Sequence, residues 1–205
     1  LLSSAIEKYS NLFGVACGQK NVLFTNNDSA YETAISLFQK GINVGAIIDN
    51  REEVDSKLVK EIEKNNIKIY KGYTVVNTFG YKKINKISIM QLSKDGQKVV
   101  GSKISIDCDC LGMSGGWTPA VHLLTQSGGK LKFRDDDQVF IPDTYPSDQI
   151  SIGSCNGDFT LDEILSSISK KLKDFLNIKK TEYENLEIQS HFNKTKRNIW
   201  LLPSD

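Results

Sequence analysis

The apolar positions of this chain fall into short runs separated by polar turns, and their spacing switches between that of helices and that of strands. Leu2, Ile6, Tyr9 and Phe13 recur at helical spacing with Ser and Lys between them, so the chain opens inside an amphipathic helix. Val22-Leu23-Phe24 reads as a short strand and Asn26-Asn27-Asp28-Ser29 as a polar turn. The stripe Tyr31, Ala34, Ile35 and Phe38 predicts a helix that Gly41 ends. Val44-Gly45-Ala46-Ile47-Ile48 is a second buried strand that finishes at Asp49. Strand, turn, helix and strand within about 30 residues make a βαβ unit, whose crossover is right-handed in nearly all proteins.

Residues 55–65 predict a second helix with Leu58, Val59 and Ile62 inward, and Ile67-Lys68-Ile69-Tyr70 a third parallel strand. The stretches 73–80, 82–92 and 99–106 are alternating or β-branched, with Lys94-Asp95-Gly96 as a turn, and predict an antiparallel meander. Cys110-Leu111-Gly112-Met113 is one further short strand. A polar loop around Asp135, Asp136 and Asp137 follows, then a last strand at Gln149-Ile150-Ser151-Ile152. Thr160-Leu161-Asp162-Glu163 is a capping box opening a helix with Leu161, Ile164, Leu165, Ile168 and Leu172 apolar. The residues after Lys179 are polar and read as a linker. Because the chain begins in an amphipathic helix and ends on Trp200-Leu201-Leu202-Pro203, it reads as a piece of a longer protein.

Composition narrows the class. The 205 residues carry 26 Lys+Arg and 25 Asp+Glu, a net charge of +1, which leaves no basic footprint for nucleic acid. With 39% hydrophobic and 25% charged residues the chain is suited to a packed core rather than to disorder. No apolar run approaches the roughly 18–20 residues of a spanning helix, so neither a membrane nor a nucleic acid is expected as a partner. Cys17, Cys108, Cys110 and Cys155 form no C-x-x-C pair, which argues against a dithiol redox enzyme and a zinc site. Cys108 and Cys110, two apart on a strand, are expected on one face as small core residues of a reduced, cytoplasmic protein. No metal site is expected; the three adjacent aspartates read as a solvated face, with a weak cation site as the other reading. His122 has no carboxylate or nucleophile beside it in sequence and reads as structural; His191 reads as solvated.

A dinucleotide fingerprint after the first strand would be G-x-G-x-x-G/A. Here the slots hold Thr25-Asn26-Asn27-Asp28-Ser29-Ala30, and only Ala30 fits. The first two glycines give the tight turn and the close backbone approach to pyrophosphate, and both are replaced by side chains. Asp28 adds a carboxylate at the helix N-terminus, favourable to the helix and repulsive to a phosphate. Asp49 stands where a ribose-binding acid would, or is simply a turn residue. The reading is a Rossmann shape that has lost its dinucleotide.

The element order, with strand–Gly-x-x-Pro at Gly116-Trp117-Thr118-Pro119 and strand–Gly at Gly153, resembles the two-dinucleotide-domain flavoprotein reductases. The fold class this implies is α/β, a Rossmann-like three-layer FAD/NAD(P)-binding fold with an inserted β-meander and an incomplete larger domain. It implies residues 1–17 as a helix of the larger nucleotide-binding domain. Residues 18–103 become an inserted Rossmann-like pyridine-nucleotide-type domain with a degenerate Gly loop. Residues 104–178 become the C-terminal part of the larger NAD-binding domain, and 179–205 a linker.

Two segments are more distinctive. Phe24-Thr25-Asn26-Asn27-Asp28-Ser29-Ala30-Tyr31 and Met113-Ser114-Gly115-Gly116-Trp117-Thr118-Pro119-Ala120-Val121-His122-Leu123, continued by Thr125-Gln126-Ser127-Gly128-Gly129-Lys130-Leu131, resemble the alpha subunits of heterotetrameric sarcosine oxidases. More loosely they resemble alpha subunits of amine and opine dehydrogenases. The resemblance, roughly from Gly14 to Leu176, implies a complex with beta, gamma and delta subunits. That complex demethylates sarcosine oxidatively to glycine and passes the one-carbon unit to tetrahydrofolate. It implies FAD in the beta subunit, FMN at the alpha–beta boundary and a bound NAD in the alpha subunit. By family pattern Ser154, Phe159 and Leu161 border the NAD and Gly157 allows close approach; no catalytic residue is expected in this chain. The competing readings are an NAD(P)H-dependent flavoprotein reductase, disfavoured by the lost Gly-x-Gly and the missing C-x-x-C, and an assembly module that binds no nucleotide.

Overall fold

The computed structural model describes residues 1–54, 56–146 and 148–177, so the expected linker, His191 and Trp200 lie outside the described residues. The chain divides into two compact units, Leu1–Gly116 and a second beginning at Trp117. The first contains α1 (Ser3–Phe13), β1 (Asn21–Thr25), α2 (Ser29–Gln39), β2 (Val44–Asp49), α3 (Ser56–Lys64), β3 (Lys68–Lys71), β4 (Tyr73–Gly80), β5 (Ile84–Leu92), β6 (Val99–Asp107) and β7 (Cys110–Ser114). The second contains α4 (His122–Gln126), β8 (Lys130–Arg134), β9 (Val139–Thr144) and α5 (Leu161–Leu176).

The first unit is a three-layer sandwich. Its parallel sheet has strand order β3-β2-β1-β7, and the order reverses at β1. Because strand side chains alternate, β1 sends Leu23 to one face and Val22 to the other, and β2 does the same with Ile47 and Ile48. Leu23 and Ile47 pack with Ile6, Tyr31, Leu37, Val59 and Ile62 under the helices. Val22, Ala46 and Ile48 pack with Val75, Ile87 and Ile89 of the antiparallel meander β4-β5-β6. Near-continuous apolar runs are what a sheet covered on both faces requires.

Several expectations shift. The strand at Cys110, expected to finish a larger domain, pairs in parallel with β1, from Asn21 opposite Cys110 to Thr25 opposite Ser114. The boundary placed at 103 therefore falls inside β6, and the first unit runs through Gly116. The helix expected to belong to the larger domain is α1, in the same unit and touching the core through Ile6. On α2 the buried row is Ala30, Tyr31, Thr33, Ala34 and Leu37, whereas Phe38 is 42% exposed. Phe38 lies one step round the helix from Leu37, at the margin of the buried face.

Cys108 and Cys110 are both buried but on opposite sides of the sheet, in the meander core and the helix core respectively. Cys108 lies between β6 and β7, so the two-residue alternation of a strand does not govern the pair. Burial, with the charge of Asp109, pushes the Cys108 thiol up to about 11, and burial raises Cys110 as well. Both are protonated at neutral pH, and only the thiolate is nucleophilic. Brief iodoacetamide treatment at pH 8 should therefore label half-buried Cys17 and Cys155 well before Cys108 and Cys110, as peptide mass spectrometry would show. A folded pKa above the unfolded value of 9.0 adds stability that is complete below pH 9 and lost as pH rises toward 11.

The second unit has no strand at 149–152. Its two-stranded sheet is the hairpin β8-β9, in which Phe133 faces Phe140 across the pair. The three aspartates read as a loop are the turn of that hairpin, closed by Gln138 at φ 54°. Arg134 Nε donates to Asp137 at 2.7 Å. No described helix is long and apolar enough to cross a membrane, and the described residues contain no group of three or more His, Cys, Asp or Glu that could hold a metal ion.

Candidate functional site

In open α/β sheets a ligand crevice forms beyond the carboxyl ends of the strands where the order reverses. In the first unit that place is the gap between β1 and β7, and parallel register brings Thr25, Asp49 and Ser114 to its rim. The chain's own side chains fill it. Asn27, fully buried, donates from Nδ2 to Asn26 Oδ1 at 2.8 Å and to the Ser114 carbonyl at 3.0 Å. Its Oδ1 accepts from the Ser29 amide at 3.1 Å and the Ser29 hydroxyl at 2.5 Å. Thr25 Oγ1 donates to the Asn27 carbonyl at 2.8 Å, and Asn26 Nδ2 to the Gly115 carbonyl at 3.2 Å. In place of a glycine loop with amides turned outward, the turn is stitched to β7 by amide and hydroxyl groups. The Asn27 side chain stands where the second glycine would leave room for pyrophosphate.

The acid beside it is also engaged. Asp49 is fully buried and accepts from the Tyr31 hydroxyl at 3.0 Å, the Arg51 amide at 2.9 Å and Arg51 Nη2 at 2.8 Å. Arg51 Nη2 also meets Asp28 Oδ1 at 2.7 Å, with Arg51 4% exposed. Burial alone would lower the Arg51 pKa, but its hydrogen bonds and charge contacts with Asp49 and Asp28 hold it above its ordinary value. Burial, then the charge and hydrogen bond of Asp49, drive the Tyr31 phenol far up, so it stays a donor. Asp28, expected to act on the helix N-terminus, makes no side-chain cap hydrogen bond and pairs with Arg51 instead. Asp49, weighed as a ribose ligand or a turn residue, is the acceptor of a buried ionic cluster. Arg51 drew no attention in the sequence and Tyr31 only as part of an apolar helical stripe; their signal was an Arg two residues beyond a strand-ending Asp, with a tyrosine in the helix between.

The expected cofactor turn lies in the second unit. Gly153–Asn156 is a 3-10 turn closed by Gly157 at φ 87°, and Thr160 caps α5. The capping box is formed: the Glu163 amide donates to Thr160 Oγ1 at 3.4 Å, while Glu163 Oε2 accepts from the Thr160 and Phe159 amides at 3.3 and 3.2 Å. Those two amides hold a carboxylate of their own chain. The close approach that Gly157 allows is made by the hairpin, since a Cβ there would lie 2.9 Å from Ile141 Cγ2 and Arg134 donates to the Gly157 carbonyl at 3.0 Å. On the other side Lys171 Nζ donates to the Ser151 carbonyl at 3.1 Å and to Asn156 Oδ1 at 2.5 Å. Of the four expected residues, Ser154 and Leu161 are exposed, Phe159 is half-buried and Gly157 is buried. Ser154 thus presents its hydroxyl, and Leu161 its apolar side chain, at the surface. His122, read as structural, is exposed at the start of α4, and Trp117 is 47% exposed.

Layers, strand order and the crevice at the β1/β7 reversal define a Rossmann-like α/β fold of the FAD/NAD(P)-binding type. Solved structures agree on the fold. Thioredoxin reductase of T. acidophilum matches with TM-score 0.50 and 21% identity, over 83% of this chain and 56% of that one. L-proline dehydrogenase of P. horikoshii gives 0.51 and 17%, over 85% and 29%. The flavoprotein disulfide reductase RclA of Escherichia coli gives 0.55 and 12%, over 78% and 36%.

In sequence, the chain resembles the sarcosine oxidase alpha subunit over most of its length. It is 30% identical to sarcosine oxidase subunit alpha of Corynebacterium sp. (strain P-1) over 169 residues, 82% of this chain and 17% of that subunit. The same subunit of Corynebacterium sp. (strain U-96) is 29% identical over 157 residues, and that of Rhizobium meliloti (strain 1021) 28% over 141. The chain spans only 13–17% of the length of these relatives. No protein-family profile matches it.

Proposed function

We propose that this chain is the part of a sarcosine-oxidase-type alpha subunit that serves as scaffold and borders a bound NAD. Its similarity to three such subunits over 69–82% of its length is the observation that carries this reading. In this reading the parent complex oxidises sarcosine to glycine in the cytoplasm and delivers the one-carbon unit to tetrahydrofolate. FAD and FMN are its redox groups, and beta, gamma and delta subunits are its partners. Within this chain the second unit faces the NAD: Ser154 offers its hydroxyl, and Phe159 and Leu161 offer apolar surface. Gly157, Arg134 and Lys171 fix the turn that carries them. The first unit holds no nucleotide, because Asn27 and the Asp28–Arg51–Asp49 cluster occupy its crevice.

The self-capped N-terminus of α5 favours one alternative, a module for assembly alone, because the amides expected to meet the cofactor already hold Glu163. The alpha subunit of a related amine, imino-acid or opine dehydrogenase is the alternative within the family. The chemistry belongs to the complex, so the isolated chain should form no peroxide from sarcosine in a coupled peroxidase assay. Reproducible turnover by the chain alone would overturn the assignment of the chemistry to other subunits.

A further inference from the structure

We propose that Cys17 and Cys110 are a peroxide-sensitive thiol pair that closes to a disulfide, tying the loop between α1 and β1 to the start of β7. The loop is already laid on that strand. The Gln19 and Lys20 amides donate to the Asp109 carboxylate at 3.0 and 2.7 Å, and the Asp109 amide donates back to the Lys20 carbonyl at 3.1 Å. Asn21 stands opposite Cys110 in the parallel pairing, and its Nδ2 donates to the Gly18 carbonyl at 2.9 Å. These bonds hold Gly18 against Cys110: a Cβ on residue 18 would lie 2.5 Å from Cys110 Cβ, a contact open to glycine alone. Cys17 is the adjoining residue, and it packs against the same helix-side core of which Cys110 is a member. After burial, the charge of Cys17 is what raises the Cys110 thiol most, which places the two thiols within electrostatic reach of each other.

The other pairings are disfavoured. Cys108 lies on the meander side of the sheet and Cys110 on the helix side, so their side chains point apart and cannot be bridged without moving the strand. Cys155 belongs to the second unit, where its thiol donates to the Ile152 carbonyl at 3.0 Å.

Burial assigns the roles, since Cys17 is half-buried and Cys110 buried. The oxidant is a hydroperoxide. The Cys17 sulfur attacks a peroxide oxygen, the O–O bond breaks, and Cys17 becomes a sulfenic acid while the peroxide leaves as an alcohol, or as water from hydrogen peroxide. The Cys110 sulfur then attacks the Cys17 sulfur. The S–O bond breaks, the S–S bond forms, and the hydroxyl leaves as water with the Cys110 proton. Two thiols are oxidised by two electrons in all, and one peroxide is reduced.

The test is treatment of the folded chain with hydrogen peroxide, quenching with catalase, alkylation of the remaining thiols in denaturant, and peptide mass spectrometry. Cys17→Ser, Cys110→Ala and, as a control in the second unit, Cys155→Ser are treated alongside. The expected result is a Cys17–Cys110 cross-linked peptide as the main product in wild type and Cys155→Ser, reversed by dithiothreitol and absent from the other two variants. In Cys110→Ala the Cys17 sulfenic acid has no thiol to condense with, and dimedone should trap it about tenfold more than in wild type. Because the cross-link closes a loop of roughly 90 residues, the oxidised wild type should also unfold at a higher urea concentration than the reduced form. Cross-links shared among all four cysteines would overturn the proposal, as would Cys17 oxidised beyond the sulfenic acid in wild type without a cross-link. Dimedone trapping equal in Cys110→Ala and wild type would overturn it as well.

Discussion

Replacing Arg51 by Met is expected to destabilise the first unit by about 3–5 kcal/mol, the cost of leaving buried carboxylates without their counter-charge. Arg51 is the cation joining Asp28 and Asp49, at 2.7 and 2.8 Å, with all three side chains at most 4% exposed. A methionine keeps most of the volume and removes the charge, so the loss would be electrostatic rather than a cavity. A companion variant separates the two causes. With Asp28→Asn, Asp49→Asn and Arg51→Met combined, no charge remains buried and stability should recover in part. Urea denaturation followed by far-UV dichroism and by the fluorescence of the first unit's tyrosines would read both. An Arg51→Met midpoint equal to wild type would mean that water reaches the cluster and that the crevice is less closed than described.

The second large effect concerns the turn itself. Restoring the dinucleotide fingerprint by Thr25→Gly with Asn27→Gly should cost about 2–5 kcal/mol and confer no measurable NAD affinity on the first unit. Each glycine adds about 0.5–1 kcal/mol of unfolded-state entropy. Removing the Asn27 side chain also leaves the Ser29 amide without its partner, at about 1–3 kcal/mol for a buried group left unsatisfied, while the Ser114 carbonyl keeps the Asn26 amide at 3.3 Å. Affinity should not appear, because Asp28 still faces the helix start and Asp49 is still spent on Arg51 and Tyr31. Calorimetric titration of the double variant with NAD reads the second half of the statement. Tight binding would show that the missing glycines alone had closed the site.

What could be read from sequence followed the physics that each segment obeys. The βαβαβ run and the meander were legible because their cores are made by local alternation and by stripes such as Leu58, Val59 and Ile62. The capping box at Thr160 was legible because its two hydrogen bonds are fixed by a three-residue spacing. The partner of Cys110 was not legible, since parallel pairing of β7 with β1 joins residues almost 90 apart and nothing local encodes it. The strand expected at 149–152 failed for the same reason: an apolar run becomes a strand only where an edge is offered to it. At the crevice, the loss of glycines was visible but its replacement was not. That Arg51 would turn inward on Asp49 and Asp28 depends on burial, which the two-residue spacing alone does not reveal.

In the function proposed above, NAD lies at the second unit, within a flavoprotein amine-oxidising complex, and not at the first. The most direct measurement is the nucleotide inventory of the purified multi-subunit complex containing this chain, by mass after denaturation, with peroxide formation from sarcosine assayed on the same sample. NAD together with FAD and FMN, with peroxide produced, and NAD content reduced by Ser154→Tyr but not by Asn27→Ala, is the result this account predicts. Flavin without NAD, no peroxide from sarcosine, or NAD lost with Asn27→Ala and retained with Ser154→Tyr would contradict it.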